Sequence, residues 1–390
     1  MRGVSAGAVA ALVALGLPIT ATSAGAAACA NPSGPYPGAV SWGQRLVNPP
    51  RLWALTRGEG QTVAVIGTGV DKQNAQFGPG QVLGGAGTAD SDCDGRGTIA
   101  AGIVGAQPAN QTTFTGVAPG VKLLPLRYTE SNGSSSDGGG DPGALAGAID
   151  TAVDRGAGVI LVAVPAGSDS PALGAALEHA KSRGAVVVSA AAATQQGAHT
   201  YPTASAGVLA VGSTDESGAP VQTEGGDYLG IAAPGANLVS TSAGGGGAVA
   251  HRWPITDPSL AAAYVAGVAA LVRSAHPELK GEQVVNRLML TASRPPSGAH
   301  DPRRGWGMVD AYAAVSSTLP ADAPGPGAAA VRTQLPAVVP AAAEARPTSD
   351  VAAGVVAVGG VVVAAAAGVG VAAFRRGRRR GWRPSRFRAS

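Results

Sequence analysis

Short apolar segments recur through the middle of the sequence, and each is separated from the next by a segment that favours a helix. The apolar segments are nearly continuous runs of Val, Ile and Leu, and we predict strands at Thr62–Gly67, Lys122–Arg127, Val159–Val164, Ala185–Ala190 and Gly207–Gly212. We predict helices at Gly97–Gly105, Ala144–Arg155, Ala172–Ser182 and Leu260–Ala275. Strands that are apolar on both faces need cover on both faces. The pattern therefore predicts an α/β fold with a mostly parallel sheet between helices.

The first 28 residues have the pattern of a secretory signal peptide. Arg2 is the basic start, Val9–Leu17 is the apolar run, and the small residues of Ala24–Ala28 offer a cleavage site. The apolar run is too short to span a bilayer. We therefore predict that residues 1–28 direct export. Residues 29–61, rich in Pro and Gly, are predicted to be an N-terminal extension ahead of a main domain at 62–317.

The C-terminal part of the sequence has three sections. Residues 318–350 are rich in Pro and Ala, which predicts an extended linker. Residues 351–374 contain no charged residue, and a helix of that length would be about 36 Å long, enough to cross a membrane. Residues 375–390 contain eight arginines. Arginines beside a span stay in the cytoplasm, so we predict a single-pass protein with its main domain outside and its C-terminus inside.

Charge is distributed unevenly along the chain. The sequence has 28 Lys and Arg against 24 Asp and Glu, but eight of the basic residues lie in the C-terminal tail. Elsewhere the acidic residues outnumber the basic ones, which argues against nucleic acid as a partner. The sequence has no spacing typical of metal ligands and no cofactor motif. Calcium is the open case, because its oxygen ligands leave no clear motif.

Only two cysteines are present, Cys29 and Cys93. An even number of cysteines in an exported protein suggests a disulfide, here between the predicted mature N-terminus and the first third of the main domain. The alternative is two unrelated thiols.

Six blocks of the sequence, in order and with consistent spacing between about 40 and 317, resemble the subtilisin family of serine proteases. They are Thr62–Val70, Asp92–Gly102, Phe114–Gly120, Ala233–Gly235, Ser259–Leu271 and Gly305–Asp310. Within that family the chain resembles the mycosins, which are membrane-anchored and associated with type VII secretion. The resemblance implies a subtilisin-like three-layer fold. It also implies secretion-system membrane proteins as partners.

The resemblance breaks down at the catalytic residues themselves. Family members carry Asp where this chain has Gly67, and His where it has Arg96. They carry the Asn that stabilises the oxyanion where this chain has Thr194. Of the positions that perform the chemistry, only that of the nucleophile is unchanged, as Ser259.

These substitutions predict that the protein does not cleave peptides. A serine hydroxyl is a weak nucleophile unless a base takes its proton. Arg96 is permanently protonated and cannot act as that base. His199 and His251, which we predict to lie in loops on the side of the site, are the candidates for a replacement base. Either would need to lie within hydrogen-bonding distance of the serine.

Two further positions bear on the site. Asp257 and Pro258 just before an apolar run are typical of a helix N-cap and first turn, which gives Ser259 a structural role. Arg96 either lies on the surface or pairs with Asp257 across the site. By position, residues 163–165 (Ala163, Val164 and Pro165) occupy the strand edge that pairs with substrate in relatives, and proline has no N–H to donate there.

Three functions follow from this sequence. The first is a non-catalytic scaffold or binding protein at the cell envelope. The second is an active endopeptidase with a non-standard site. The third is a regulator that binds peptides or competes with an active paralogue. The sequence names no particular partner, peptide or oligomeric state.

Overall fold

The structure, a computed structural model, describes residues 29–85, 89–130, 140–192, 195, 197–295, 297–326 and 375–377. The chain divides into two units, one up to Ala329 and one from Ala330. In the second unit, the structure describes residues 375–377, which are helical. The predicted signal peptide at 1–28 and the predicted span at 351–374 lie outside the described residues.

The first unit alternates strands and helices through most of its length. Its strands are β1 Thr62–Gly67, β2 Lys122–Arg127, β3 Val159–Val162, β4 Val186–Ala190, β5 Leu209–Thr214, β6 Leu229–Pro234, β7 Leu238–Thr241 and β8 His251–Ile255. Its helices are α1 Trp42–Val47, α2 Pro49–Leu52, α3 Arg96–Gly105, α4 Pro142–Asp154, α5 Pro171–Ser182, α6 Pro258–Ala275, α7 Gly281–Thr291 and α8 Ala311–Ser316.

Six strands form one sheet in the order β2-β1-β3-β4-β5-β6, and every pairing in it is parallel. Successive residues of β1 point to opposite faces. Val63 and Val65 join the core beneath α6, and Ala64 and Ile66 join the core beneath α4 and α5. The sheet therefore lies between two layers of helices, which confirms the predicted three-layer α/β fold. Strands β7 and β8 form a separate antiparallel pair.

Helix α6 runs through the centre of the molecule. It is 18 residues long, and its first 15 residues are buried. It is the one helix within the described ranges that is long and apolar enough to cross a membrane. Its burial against strands of the main sheet identifies it as a core helix.

The strand predictions are accurate to within a few residues. β1 and β2 have the predicted bounds, whereas β3 ends at Val162, two residues early. The reason lies just beyond its end, where Ala166 pairs with Tyr201 instead of continuing the sheet. Pro165 before it has no N–H with which to extend a ladder. His251, which we expected in a loop, lies in β8.

The N-terminal extension packs along the domain. Cys29 and Cys93 form a disulfide, as predicted. The amide of Ala30 donates to the carbonyl of Cys93 at 2.7 Å, and Gly34 pairs with His251 of β8. This segment therefore lies beside the turn that leads into α3.

Candidate functional site

The candidate site lies where strands and helices of the main domain meet. β1 ends at Gly67, α3 begins at Arg96, and α6 begins at Pro258. The carboxyl ends of parallel strands meet at one edge of a sheet, which is the usual position for a site in an α/β fold. The structure thus brings together the predicted positions of the Asp, the His and the Ser. Thr194, at the predicted oxyanion position, lies outside the described residues.

The turn before α3 is held by a buried carboxylate. Asp92 accepts hydrogen bonds from the amide and the hydroxyl of Thr98 at 2.8 and 2.7 Å, and from the amide of Gly95 at 2.8 Å. Burial raises the pKa of the Asp92 carboxyl, while these hydrogen bonds act in the opposite direction. Thr68, just after β1, accepts from the amide of Gly97 at 3.0 Å. These bonds fix the backbone on both sides of Arg96.

Arg96 forms an ion pair across the site. Its Nε lies 3.0 Å from Oδ2 of Asp257, and the two side chains are 16% and 18% exposed. The pair joins the first residue of α3 to the N-cap of α6. Of the two possibilities left open for Arg96, the structure confirms the pairing with Asp257.

Asp257 also caps α6, as its position before the proline predicted. Its Oδ1 accepts from the amide of Ser259 at 2.8 Å, and Pro258 is the first helical residue. This carboxylate satisfies one of the free amides at the start of the helix and lies at the positive end of the helix dipole. The residues at the nucleophile turn therefore form a stable helix start.

Ser259 is buried beneath this turn. The residue is 1% exposed, and its hydroxyl has no hydrogen-bond partner in the part of the chain that the structure describes. A nucleophilic serine needs a base on its hydroxyl. Among the described residues, nothing activates this one.

The two candidate histidines are engaged elsewhere. Nδ1 of His199 lies 2.8 Å from the hydroxyl of Tyr228. Nδ1 of His251 accepts from the amide of Tyr36 at 3.0 Å, which leaves Nε2 to donate to Oε1 of Gln76. Burial lowers the pKa of His251 to about 4, so its ring is neutral at neutral pH. Neither imidazole is bonded to Ser259.

The predicted groove segment is buried and partly paired within the chain. Ala163 and Val164 are each 2% exposed, and Pro165 is buried. The amide of Ala163 donates to the carbonyl of Ile66 at 3.0 Å. The hydroxyl of Tyr128 donates to the carbonyl of Val164 at 2.5 Å.

Sequence reasoning missed Tyr128 and the supporting role of Asp92. Asp92 could have been found, because it precedes a Gly-x-Gly-Thr turn that matches the family pattern. Tyr128 follows a strand end and carries no motif, so only the three-dimensional structure reveals its contact with Val164. Within the described ranges, no group of three or more His, Cys, Asp or Glu residues could hold a metal ion.

The chain is similar in sequence to known proteins. The model of the Subtilase family matches residues 58–307. Mycosin-3 of Mycobacterium tuberculosis is 38% identical, in an alignment that covers 88% of this chain and 86% of that protein.

Two solved structures with similar folds come from type VII secretion systems. The structure of MycP3 protease from the type VII (ESX-3) secretion system covers 74% of this chain and 92% of its own, with 35% identity and a TM-score of 0.62. A chain in the structure of an intact ESX-5 inner membrane complex covers 89% of this chain and 94% of its own, with 28% identity and a TM-score of 0.64.

Proposed function

This chain belongs to the subtilase family as a mycosin-like member, and from that premise we propose that it is a proteolytically inactive scaffold protein of the cell envelope. The observation that carries the proposal is the Arg96–Asp257 ion pair at the turn before Ser259, whose hydroxyl has no hydrogen-bond partner among the described residues. The fold that holds a triad is present, and the groups that would move a proton are replaced.

The chemistry supports inactivity on several independent grounds. Loss of the histidine alone lowers turnover by about a million-fold in an enzyme of this family. Gly67 has no side chain to orient a base, and Arg96 cannot accept a proton. Thr194 offers a hydroxyl where an amide would stabilise the oxyanion, and such a donor accounts for about a hundred- to thousand-fold. These losses do not add, but each acts in the same direction.

Export and membrane anchoring are part of the same proposal. A signal peptide at 1–28 directs export, a linker at 318–350 follows the domain, and a helix at 351–374 anchors it. The arginines of 375–390 remain in the cytoplasm. The similarity to a chain of the ESX-5 inner membrane complex supports a role beside membrane proteins of a type VII secretion system. The domain then contributes contact surfaces to the complex.

Genetic replacement in the source organism tests this scaffold role. Deletion of the gene should abolish export of type VII substrates, because the complex lacks one of its parts. Ser259→Ala should restore export fully, since the serine performs no chemistry. A chain that keeps the signal peptide and residues 318–390 but lacks residues 29–317 should fail to restore export. Loss of export in the Ser259→Ala strain, with normal protein levels, would contradict the proposal.

A further inference from the structure

We propose that side chains of the chain itself close the cleft at Ser259 and keep extended peptides out of it. Tyr128 closes one side, and the ion-paired Arg96 and Asp257 close the other. The inference rests on the proposed loss of proteolysis, because a working protease of this family has to admit a peptide to its serine. The inference therefore assigns contact with partner proteins to surfaces other than the cleft.

Tyr128 bridges two strand ends that are not neighbours. Its amide donates to the carbonyl of Gly67 at 3.1 Å, and its hydroxyl donates to the carbonyl of Val164. Tyr128 follows β2, and Val164 follows β3. Strand β1 lies between β2 and β3 in the sheet. The tyrosine side chain therefore crosses the carboxyl end of β1, at the residue where relatives carry the catalytic Asp.

Packing does not require the glycine at position 67. A Cβ there would lie 3.4 Å from Cγ2 of Val164 and 3.8 Å from Cβ of Ala163, which are ordinary contacts. The backbone at Gly67 is also outside the left-handed region, so glycine is not required for its conformation.

The groove segment offers little to an incoming strand. The Val164 carbonyl is bonded to Tyr128, and both polar groups of the Ala166 backbone are bonded to Tyr201 at 2.7 and 2.8 Å. Pro165 between them has no N–H. A peptide that adds as a strand depends on free main-chain donors and acceptors along such an edge. Here several of them are already satisfied by the chain.

The opposite wall is closed by the charged pair. Arg96 and Asp257 join the starts of α3 and α6, and the Ser259 hydroxyl is buried near that junction. Burial raises the pKa of the Tyr128 hydroxyl, and the Arg96 charge acts in the opposite direction. Asp257 also accepts a hydrogen bond from the Ser259 amide, so the charged pair lies at the turn that carries the serine.

Thiol labelling of full-length protein measures access to the cleft directly. Ser259→Cys introduces a thiol under the closure. Ala172→Cys is the matched control, because residue 172 is the second residue of α5, follows a cap and a first-turn proline as residue 259 does, and is exposed. With a maleimide probe and no reductant, we expect Cys at 259 to react at least about ten-fold more slowly than Cys at 172. Equal rates would overturn the proposal.

A second set of variants identifies which side chains close the cleft. In the Ser259→Cys background, Tyr128→Ala should raise the labelling rate toward that of the exposed control. Tyr128→Phe keeps the aromatic ring, so the labelling rate should remain low. Arg96→Ala should also raise the rate and serves alone if Tyr128→Ala does not fold. Slow labelling in folded Tyr128→Ala and Arg96→Ala proteins would overturn the assignment to these residues.

The labelling result is separable from the question of proteolysis. A maleimide reports access to the position and needs no catalytic base. An inactive protein with an open cleft would label quickly at 259 yet show no peptide cleavage, and only the closure would then be wrong. An active protease would cleave peptides and require an open cleft, and both proposals would then be wrong.

Discussion

Arg96 is the residue whose role differs most from that of its counterpart in a working protease. In a triad this position accepts a proton, and here it holds a permanent positive charge against Asp257. The pair is largely shielded from water, with side chains 16% and 18% exposed. Charges in that setting interact more strongly than surface pairs do. The pair is a structural link between the starts of α3 and α6.

A double-mutant cycle measures this link. Arg96→Ala removes the cation, and Asp257→Asn removes the negative charge while keeping a residue that can cap α6. We expect a coupling free energy of about 1–2 kcal/mol from urea unfolding of the two single variants and the double variant. The exposed pair Arg45–Glu216, with side chains 55% and 68% exposed, is the control and should show coupling near zero. Additive effects at Arg96 and Asp257 would contradict the structural role.

His251 predicts a pH dependence of stability. Burial lowers its folded-state pKa to about 4 from an ordinary 6.5. Between these values the unfolded chain binds a proton that the folded chain does not. Stability should therefore fall as the pH drops from about 6.5 to 4, by about 3 kcal/mol in total. This loss of stability is absent above pH 6.5, where His251 is neutral in both the folded and the unfolded chain.

Replacement of His251 tests whether this residue causes the pH dependence of stability. His251→Gln removes the titrating group, so it should reduce the slope of unfolding free energy between pH 4.5 and 6 by about 1.4 kcal/mol per pH unit. Urea unfolding at four pH values gives the slopes. Identical slopes in the two proteins would show that His251 titrates normally in the folded state.

Sequence reasoning predicts positions for the site residues but not all of their contacts. The positions of Gly67, Arg96 and Ser259 follow from motifs, and the cap at Asp257 follows from local helix rules. Both kinds of information are local in the chain. The bond from Tyr128 to Val164 joins residues 36 positions apart and has no local pattern. Such contacts depend on which strands are neighbours in the sheet.

At the level of elements, α3 packs closely against the turn that follows β1. A Cβ at Gly97 would collide with the carbonyl oxygen of Gly69 in the turn after β1. Gly97→Ala should therefore force the helix away from that turn and lower the unfolding free energy by about 2–3 kcal/mol. Thermal or urea unfolding measures the loss.

Gly147 is the matched control for that substitution. It lies on the exposed side of α4, and a Cβ there would meet nothing within 4 Å. Gly147→Ala should raise stability by about 0.5–1 kcal/mol, because alanine favours a helix more than glycine does. If both variants behaved alike, the close approach of Gly97 to Gly69 would not constrain α3.

Among the parallel strands, β1 to β5 were predicted from the sequence. Buried strands such as β1 and β2 are continuous apolar runs with clear limits, and their predicted bounds match the structure. β6, β7 and β8 were not predicted as strands. β8 contains Arg252 and Pro254, which weaken any strand pattern, and its pairing with β7 is set by the tertiary fold.

For the whole molecule, the order of signal, domain, linker and anchor predicts a topology. Protease added to intact cells should cut within 318–350 and release the domain, because that linker would lie outside the membrane. A tag placed after Ser390 should stay protected until the cells are opened. Immunoblots of the supernatant and of the cells give both results. A domain that resists protease until lysis would contradict the predicted orientation.

One reaction tests the proposal that the fold is retained while the proteolytic chemistry is lost. A fluorophosphonate reacts only with a serine whose hydroxyl is activated by a base. Full-length protein in detergent should show no mass increase at Ser259 after treatment, and its spectrum should match that of Ser259→Ala. An active subtilisin treated in parallel establishes that the reagent works. Stoichiometric labelling that disappears in Ser259→Ala would make the protein a protease with an activated serine.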